Sequence, residues 1–256
     1  MINKQIILIL ISIFFCNFAS ANTFKFETKN LKIFKEENKI IAGKGKAVSS
    51  DNDLEINADK FEYLKELDIL KSNGNGSAFK KSKKLSIKFN EAIFDQKNSS
   101  IEAKGNVKIN QKDKNFSIET EEIYYDQLND LINSNTKTIL KDSSKNTYVV
   151  DSFIFEVNKN LLKVINLEFQ DINKNTVKTE LAYINTQSGK LFGKDISVDF
   201  VNSSFDKDNE PRLKANSIIN DKNTTEFTKG VFTTCKKRDD CPPWEMSAEK
   251  IQHDKK

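Results

Sequence analysis

Apolar and polar residues alternate along most of this chain, which is the pattern of a β-strand with one buried face. In residues 54–58 and 85–89 every second side chain is apolar or small, and the side chains between them are polar. Side chains two residues apart share a face, so each such strand offers one apolar row. Polar, turn-forming clusters separate the runs, at residues 73–76, 98–100, 112–115 and 142–144. We therefore predict an all-β meander of antiparallel strands with almost no helix.

The alternation lies within a repeat of 31 residues. Gly43, Gly74 and Gly105 keep this spacing, and Thr136 takes the next position. Two apolar series share the period: Ile56, Ile87, Ile118 and Val149, and Tyr63, Phe94 and Tyr125. A fixed period of this size indicates one supersecondary unit that is repeated and stacked. Each unit is apolar on one side only, so it needs neighbours to cover that side, and the glycines are expected at corners of the backbone.

Three regions follow from the organisation of the chain. Residues 1–21 have a short positive start, an apolar run and a small-residue cleavage site, which predicts a secretory signal peptide. An uncleaved N-terminal anchor and a lipoprotein modified at Cys16 are the alternatives. Residues 22–228 carry the β-pattern. Residues 229–256 differ in composition and are interpreted as a cysteine-containing linker.

Charge and motif content exclude several classes of function. The net charge is only +4, with 41 basic and 37 acidic residues, which argues against a dedicated nucleic-acid binder. The lysines of residues 81–84 are interpreted as a solvated turn rather than an anion-binding patch. The one histidine, His253, lies close to the end, and no catalytic or nucleotide-binding motif is present. We expect no enzyme activity, no cofactor and no metal site.

Cys235 and Cys241 are the two cysteines that follow the predicted signal peptide. Export places them in an oxidising compartment, where thiols tend to pair. A bridge between the two, a bridge from either one to another segment or chain, and two unpaired thiols are all open.

The apolar series allow two interpretations. They fill a closed core, or they line a trough between two splayed sheets that holds acyl chains. The residues that would line such a trough are Ile56, Tyr63, Ile87, Phe89, Phe94, Ile118, Tyr125 and Val149.

Two stretches of sequence carry a family resemblance. Residues 54–63 and 105–109 resemble the repeat of the OstA-like periplasmic β-jelly-roll, which the lipopolysaccharide transport proteins share. Residues 232–235, 241–248 and 251–254 are similar to the segment that joins jelly-roll and barrel in the LPS-assembly protein (LptD) family. The sequence ends where that family's outer-membrane barrel would begin, so we expect a truncated product, a split gene or a fragment.

The resemblance implies an open, V-shaped β-solenoid with transport rather than catalysis as its function. It implies lipopolysaccharide as the ligand, carried at the periplasmic face of the outer membrane and passed to a barrel translocon. Its implied partners are a periplasmic bridge protein that docks by β-strand addition, an outer-membrane lipoprotein plug and a barrel encoded elsewhere. The edge expected to dock the bridge contains Phe24, Phe26, Leu31 and Ile33. A soluble bridge protein of the same fold and an exported structural β-solenoid are the alternatives.

Overall fold

Antiparallel strands pair in sequence along this chain and form one long sheet that is folded over on itself. The computed structural model describes residues 24–111, 116–142, 146–170, 174–201, 209–237 and 244–254. The predicted signal peptide and Cys241 lie outside these residues. About 70% of the chain is strand. The described residues contain one 3₁₀ turn, η1 (Val157–Lys159), and no helix among them is long and apolar enough to cross a bilayer. The all-β prediction is confirmed.

Short strands and long strands follow each other in blocks along the chain. The first ten are β1 (Lys25–Thr28), β2 (Leu31–Phe34), β3 (Lys39–Ala42), β4 (Gly45–Val48), β5 (Leu54–Ala58), β6 (Lys60–Leu64), β7 (Ile69–Lys80), β8 (Leu85–Asp95), β9 (Ser100–Gln111) and β10 (Ser117–Asp126). The second ten are β11 (Leu131–Ser134), β12 (Thr138–Lys141), β13 (Thr147–Val150), β14 (Ser152–Glu156), β15 (Leu161–Gln170), β16 (Thr176–Asn185), β17 (Leu191–Asp199), β18 (Arg212–Asn220), β19 (Thr224–Thr233) and β20 (Met246–Asp254).

Each long strand crosses a corner and contributes to two layers. The first layer contains β1, β4, β5, β12 and β13, and the second contains β2, β3, β6, β11 and β14. Strands β7 to β10 and β15 to β20 place one half in each layer. The layers are therefore continuous through the backbone along the corner, and their opposite edges end in turns.

The corner is where the repeated glycines lie. Gly74 in β7 and Gly105 in β9 have φ angles of +78° and +77°, a region that side chains with a Cβ avoid. The ladder between β7 and β8 shifts register between Asn73 and Gly76, which is a bulge that bends the strand. The cluster at residues 73–76 is therefore a bend inside a strand, and its prediction as a turn between strands is wrong. The prediction of glycines at corners is confirmed.

At Thr136, the fourth position of the glycine series, the corner is formed by a break in the strand. The strand is interrupted there, between β11 and β12. Four hydroxyls cluster at the gap: the Oγ1 of Thr120 lies 2.9 Å from the Oγ1 of Thr136, 3.1 Å from the Oγ of Ser134 and 2.9 Å from the Oγ1 of Thr138. A broken strand whose polar groups bond to each other replaces the left-handed glycine.

Cross-strand pairing aligns one inward side chain per strand into a continuous row in each layer. In the first layer these are Ala47, Ile56, Ala78, Ile87, Ile109, Ile118, Leu140 and Tyr148, the first inner row. In the second layer they are Tyr63, Leu70, Phe94, Ile101, Tyr125, Ile132, Phe155, Leu162, Ile184 and Leu191, the second inner row. All of these side chains are buried.

The assignment of Val149 to the first inner row is wrong. Leu140 pairs with Tyr148, so Tyr148 takes the next place in the row, and Val149 pairs with Ile139 on the outward face. Val149 is half-buried, whereas Tyr148 and Val150 on either side of it are buried. A change of one residue in the spacing exchanges the two faces of a strand, because side chains alternate with a period of two.

The boundary expected between residues 228 and 229 falls inside β19. Strand β19 continues to Thr233, and β20 pairs with it from Thr224 opposite Asp254 to Phe232 opposite Met246. The described tail residues therefore continue the sheet instead of leaving it. The alternation in β19 is interrupted at Lys229, which has a left-handed backbone, so the strand does not keep the period of two through its length.

Replacing Gly105 by alanine tests the corner. Its added Cβ would meet the Asn90 Cβ at 2.8 Å, and the positive φ angle adds strain of about 1–2 kcal/mol. Gly189 is the matched control, since its φ angle is +73° but an added Cβ meets nothing within 4 Å. We expect Gly105→Ala to lower the free energy of unfolding in urea by about 2–3 kcal/mol and Gly189→Ala by about 1 kcal/mol. Equal losses would show that contact at the corner is unimportant.

Candidate functional site

The space between the two layers is the candidate site. Seven of the eight residues predicted to line an apolar trough lie there with exposed fractions of 0–3%: Ile56, Tyr63, Ile87, Phe89, Phe94, Ile118 and Tyr125. They come from both layers and face each other across one interior. The structure therefore brings the predicted set together, with Val149 as the exception.

The interior is filled by its own side chains in this conformation. Phe89 of the first layer and Phe94 of the second lie with ring centroids 6.0 Å apart, and Phe26 lies 5.9 Å from Phe61 across the same space. These are edge-to-face or tilted contacts typical of a packed core. A hydrocarbon chain fits between the layers only if they move apart.

The two tyrosines of the second inner row each donate their hydroxyl to an aspartate. Tyr63 donates to the Oδ1 of Asp68 at 2.6 Å, and Tyr125 donates to the Oδ1 of Asp130 at 3.0 Å. At the repeat between them the pair is Phe94 and Ser99. A buried phenol needs a partner, so hydroxyl and carboxylate occur together in these repeats. The 31-residue period located the aromatic positions, and the partner five residues later was missed.

Burial and the nearby carboxylate keep these phenols neutral. Burial first, and then the charge of Asp130, raise the pKa of Tyr125 well above its usual value. Burial opposes ionisation of Asp130, but hydrogen bonds from Lys83, Tyr125 and Asn158 outweigh it and hold the pKa of that carboxyl below its usual value. Asp130 is only 7% exposed, so it is a charged group fixed between the interior and the edge of the sheet.

The free edges of the two layers form two rims. The first rim contains the turns at residues 49–53 and 81–84, and the second contains those at 35–38, 65–68, 96–99, 127–130 and 157–160. Along the second rim a left-handed residue in each turn accepts a hydrogen bond from the next repeat. Examples are Gln96 N to Asp68 O at 3.1 Å and Gln127 N to Ser99 O at 2.9 Å. This backbone ladder fixes the spacing of neighbouring turns.

The two rims touch near the middle of the sheet. Lys83 on the first rim reaches Asp130 and Asn158 on the second, with distances of 2.8 and 2.6 Å from its Nζ to their oxygens. Lys80 reaches the Oε1 of Gln127 at 2.8 Å. The local sequence of residues 81–84 indicates a solvated turn, and nothing in it signals partners 47 or 75 positions away.

The N-terminal edge exposes apolar residues, although only part of the predicted set. Leu31 and Ile33 in β2 are 43% and 55% exposed, because no described strand covers the inward face of this end of the second layer. Phe24 is buried and Phe26 packs against Phe61, so these two side chains belong to the core. Strands β1 and β2 each pair on one side only among the described residues, with β4 and β3.

The C-terminal edge has the same character. Met246 of β20 is 57% exposed and Trp244 is 47% exposed. His253 lies opposite Thr225 on this edge strand and is exposed. Cys235 is half-buried, and its carbonyl accepts a hydrogen bond from Arg212. Since Cys241 lies outside the described residues, the pairing of the two cysteines stays a prediction.

The described residues contain no cluster of histidine, cysteine, aspartate and glutamate that could hold a metal ion. A comparison with protein families matches residues 52–208, well over half of the 256-residue chain, to the family described as OstA-like protein. The chain belongs to the OstA-like family. The family is of a transport and binding type, is involved in lipopolysaccharide transport, and acts in the cell envelope. None of the curated proteins compared with this OstA-like chain matches it.

Introducing a hydroxyl into the middle repeat tests the pairing of phenol and carboxylate. Phe94 is 1% exposed, so Phe94→Tyr places a phenol where no carboxylate stands five residues later. We expect Phe94→Tyr alone to lower the free energy of unfolding by about 1–3 kcal/mol, the cost of an unsatisfied buried polar group.

Adding Ser99→Asp should recover most of that loss, because aspartate in the equivalent turns bonds the phenol and adopts the same left-handed backbone. Ser99→Asp alone is the reference, and a double-mutant cycle in urea measures the coupling. Coupling near zero would contradict the pairing.

Proposed function

We propose that this chain shelters the acyl chains of lipopolysaccharide between its two layers and passes them along the sheet toward the outer membrane. The observation that carries the proposal is the pair of inner rows, which run through the repeats as one apolar interior. Each CH₂ group left in water costs about 0.8 kcal/mol, so several acyl chains cannot cross an aqueous compartment unshielded.

Among the described strands, the two layers are joined by the backbone along the corner only, which supports an interior that can open at the rims. The backbone connects them along the corner, and no strand ladder between described strands joins one rim to the other. Separation at the rims would break side-chain contacts and leave the hydrogen bonds within each layer intact. The filled conformation is then the state without lipid, in which the aromatic and aliphatic side chains cover each other.

The exposed ends of the sheet support the passage of lipid from one protein to the next. The inward face of β2 presents Leu31 and Ile33, and the far end presents Trp244 and Met246. An edge strand with unpaired backbone groups accepts a strand from another protein. Docking of a periplasmic bridge protein at β1 and β2 would extend the apolar interior across the junction.

The finer assignment is the periplasmic domain of an LptD-type assembly protein at the outer membrane. The resemblance of residues 232–235 and 241–248 to the linker of that family supports it. In this assignment the far end faces a barrel and its lipoprotein plug, and Cys235 and Cys241 form disulfides.

A structural β-solenoid is the second candidate, and the packed interior is the observation that favours it. Such a protein would keep its layers together and would bind no lipid. The two candidates therefore differ in whether an acyl chain ever reaches the inner rows.

Lipopolysaccharide with a photoreactive diazirine in one acyl chain separates the two functions. After irradiation with the purified chain, we expect mass spectrometry to find adducts on inner residues such as Ile87 and Ile118. Lipopolysaccharide with the diazirine on its sugar is the control and should label exposed turns instead. Adducts confined to outward residues such as Lys88, or no adducts at all, would rule out the carrier function.

A further inference from the structure

Two lysines form side-chain hydrogen bonds between the two rims of this sheet. The ammonium of Lys83, in the turn between β7 and β8, bonds to Asp130 and to Asn158, which lie in two neighbouring turns of the opposite rim. Lys80 adds a bond to Gln127. The cross-rim contact therefore joins one turn of the first layer to two consecutive repeats of the second.

The contact is anchored in the interior rather than lying loose on the surface. The side chains of Lys83 and Asp130 are 25% and 10% exposed. Asp130 also accepts hydrogen bonds from the Tyr125 hydroxyl and the Asn158 amide. Since Tyr125 belongs to the second inner row, the state of the contact is coupled to the packing of the apolar residues behind it.

A small cavity lies next to the turn that carries Lys83. Its lining comes from both layers: Ile109, Gln111, Phe116, Ile118, Phe155 and Thr186. Gln111 links the two features, because its Nε2 donates to the carbonyl of Lys83 at 3.2 Å. The Gln111 Oε1 is buried and has no partner among the described residues, so it is an acceptor without a donor.

We infer that the gap between the turns at residues 81–84 and 127–130 is the lateral opening through which an acyl chain reaches the interior, and that Lys83, assisted by Lys80, is the latch that closes it. The inference rests on the proposed function. An incoming amphiphile with a hydroxyl or amide donor would satisfy the Oε1 of Gln111, and its hydrocarbon would lie along Ile109 and Ile118.

The bonds that would have to break indicate where the opening lies. Opening at the corner would disrupt strand ladders, whereas opening at this gap breaks the side-chain bonds of two lysines. Charged hydrogen bonds in a partly buried site are stronger than neutral ones, so these few bonds are enough to keep the gap closed in the absence of lipid.

The first test measures the gap without lipid. Spin labels at Lys81→Cys and Leu128→Cys, exposed positions on opposite rims, report their separation by pulsed electron resonance in a chain whose native cysteines are serine. We expect longer and broader distances in Lys83→Met and in Lys83→Met/Asp130→Asn. The double variant removes the bond without leaving a buried charge unpaired, so a folding defect in the single variant does not decide the result.

The second test measures access. With acyl-diazirine lipopolysaccharide, the initial rate of labelling at Ile109 and Ile118 should rise about tenfold in the double variant, as expected when a charged hydrogen bond that favours the closed state is lost. Lys178→Met is the matched control, because it removes an ion pair with Glu168 (3.0 Å) that lies within one layer. It should leave both the distances and the labelling unchanged.

Distances and labelling that match Lys178→Met would overturn the latch. Longer distances with unchanged labelling would overturn this gap as the route. If no variant, including the unaltered chain, is labelled in the interior, the proposed function fails, and the lipid-free distances alone then decide whether Lys83 holds the rims.

Discussion

Burial of one apolar face is the constraint on which the rest of this structure depends. A sheet in which every strand alternates inward apolar and outward polar side chains must cover its inner face. This chain does so by folding the sheet along a corner, so that the two halves of each long strand face each other. The corner needs residues that accept a left-handed backbone or an interruption, which Gly74, Gly105 and the gap at Thr136 supply.

The repeat made much of this predictable. The alternation and the 31-residue period gave the strands, the corner positions and seven of the eight inward residues, because local side-chain periodicity determines which face is buried. The period failed at Val149, because the equivalent inward residue one repeat after Ile118 is Tyr148, which lies 30 rather than 31 positions later. A stacked repeat tolerates such a change because the pairing of each strand with its neighbour, and not the count along the chain, sets the register.

Contacts between distant turns could not be predicted from the sequence. Lys83 looks like one member of a solvated lysine cluster, and Asp130 looks like an ordinary turn aspartate. Only the folding of the two layers places them 2.8 Å apart. The sequence also could not decide whether the interior is packed. The apolar rows are compatible with a core or with a trough, and the structure describes a closed state. In the proposed function, a trough forms when the rims separate.

The central claim is that acyl chains enter this interior by separation of the two rims. A covalent bridge tests it most directly: cysteines at Lys83 and Asn158, joined by a thiol reagent about as long as a lysine side chain, hold the gap closed. The control bridge joins Asp53 and Ser82, whose side chains bond within one rim. The account predicts that the first bridge abolishes labelling of Ile109 and Ile118 by acyl-diazirine lipopolysaccharide, that cleaving it restores labelling, and that the control bridge has no effect. Undiminished labelling of the chain bridged across the rims would contradict the account.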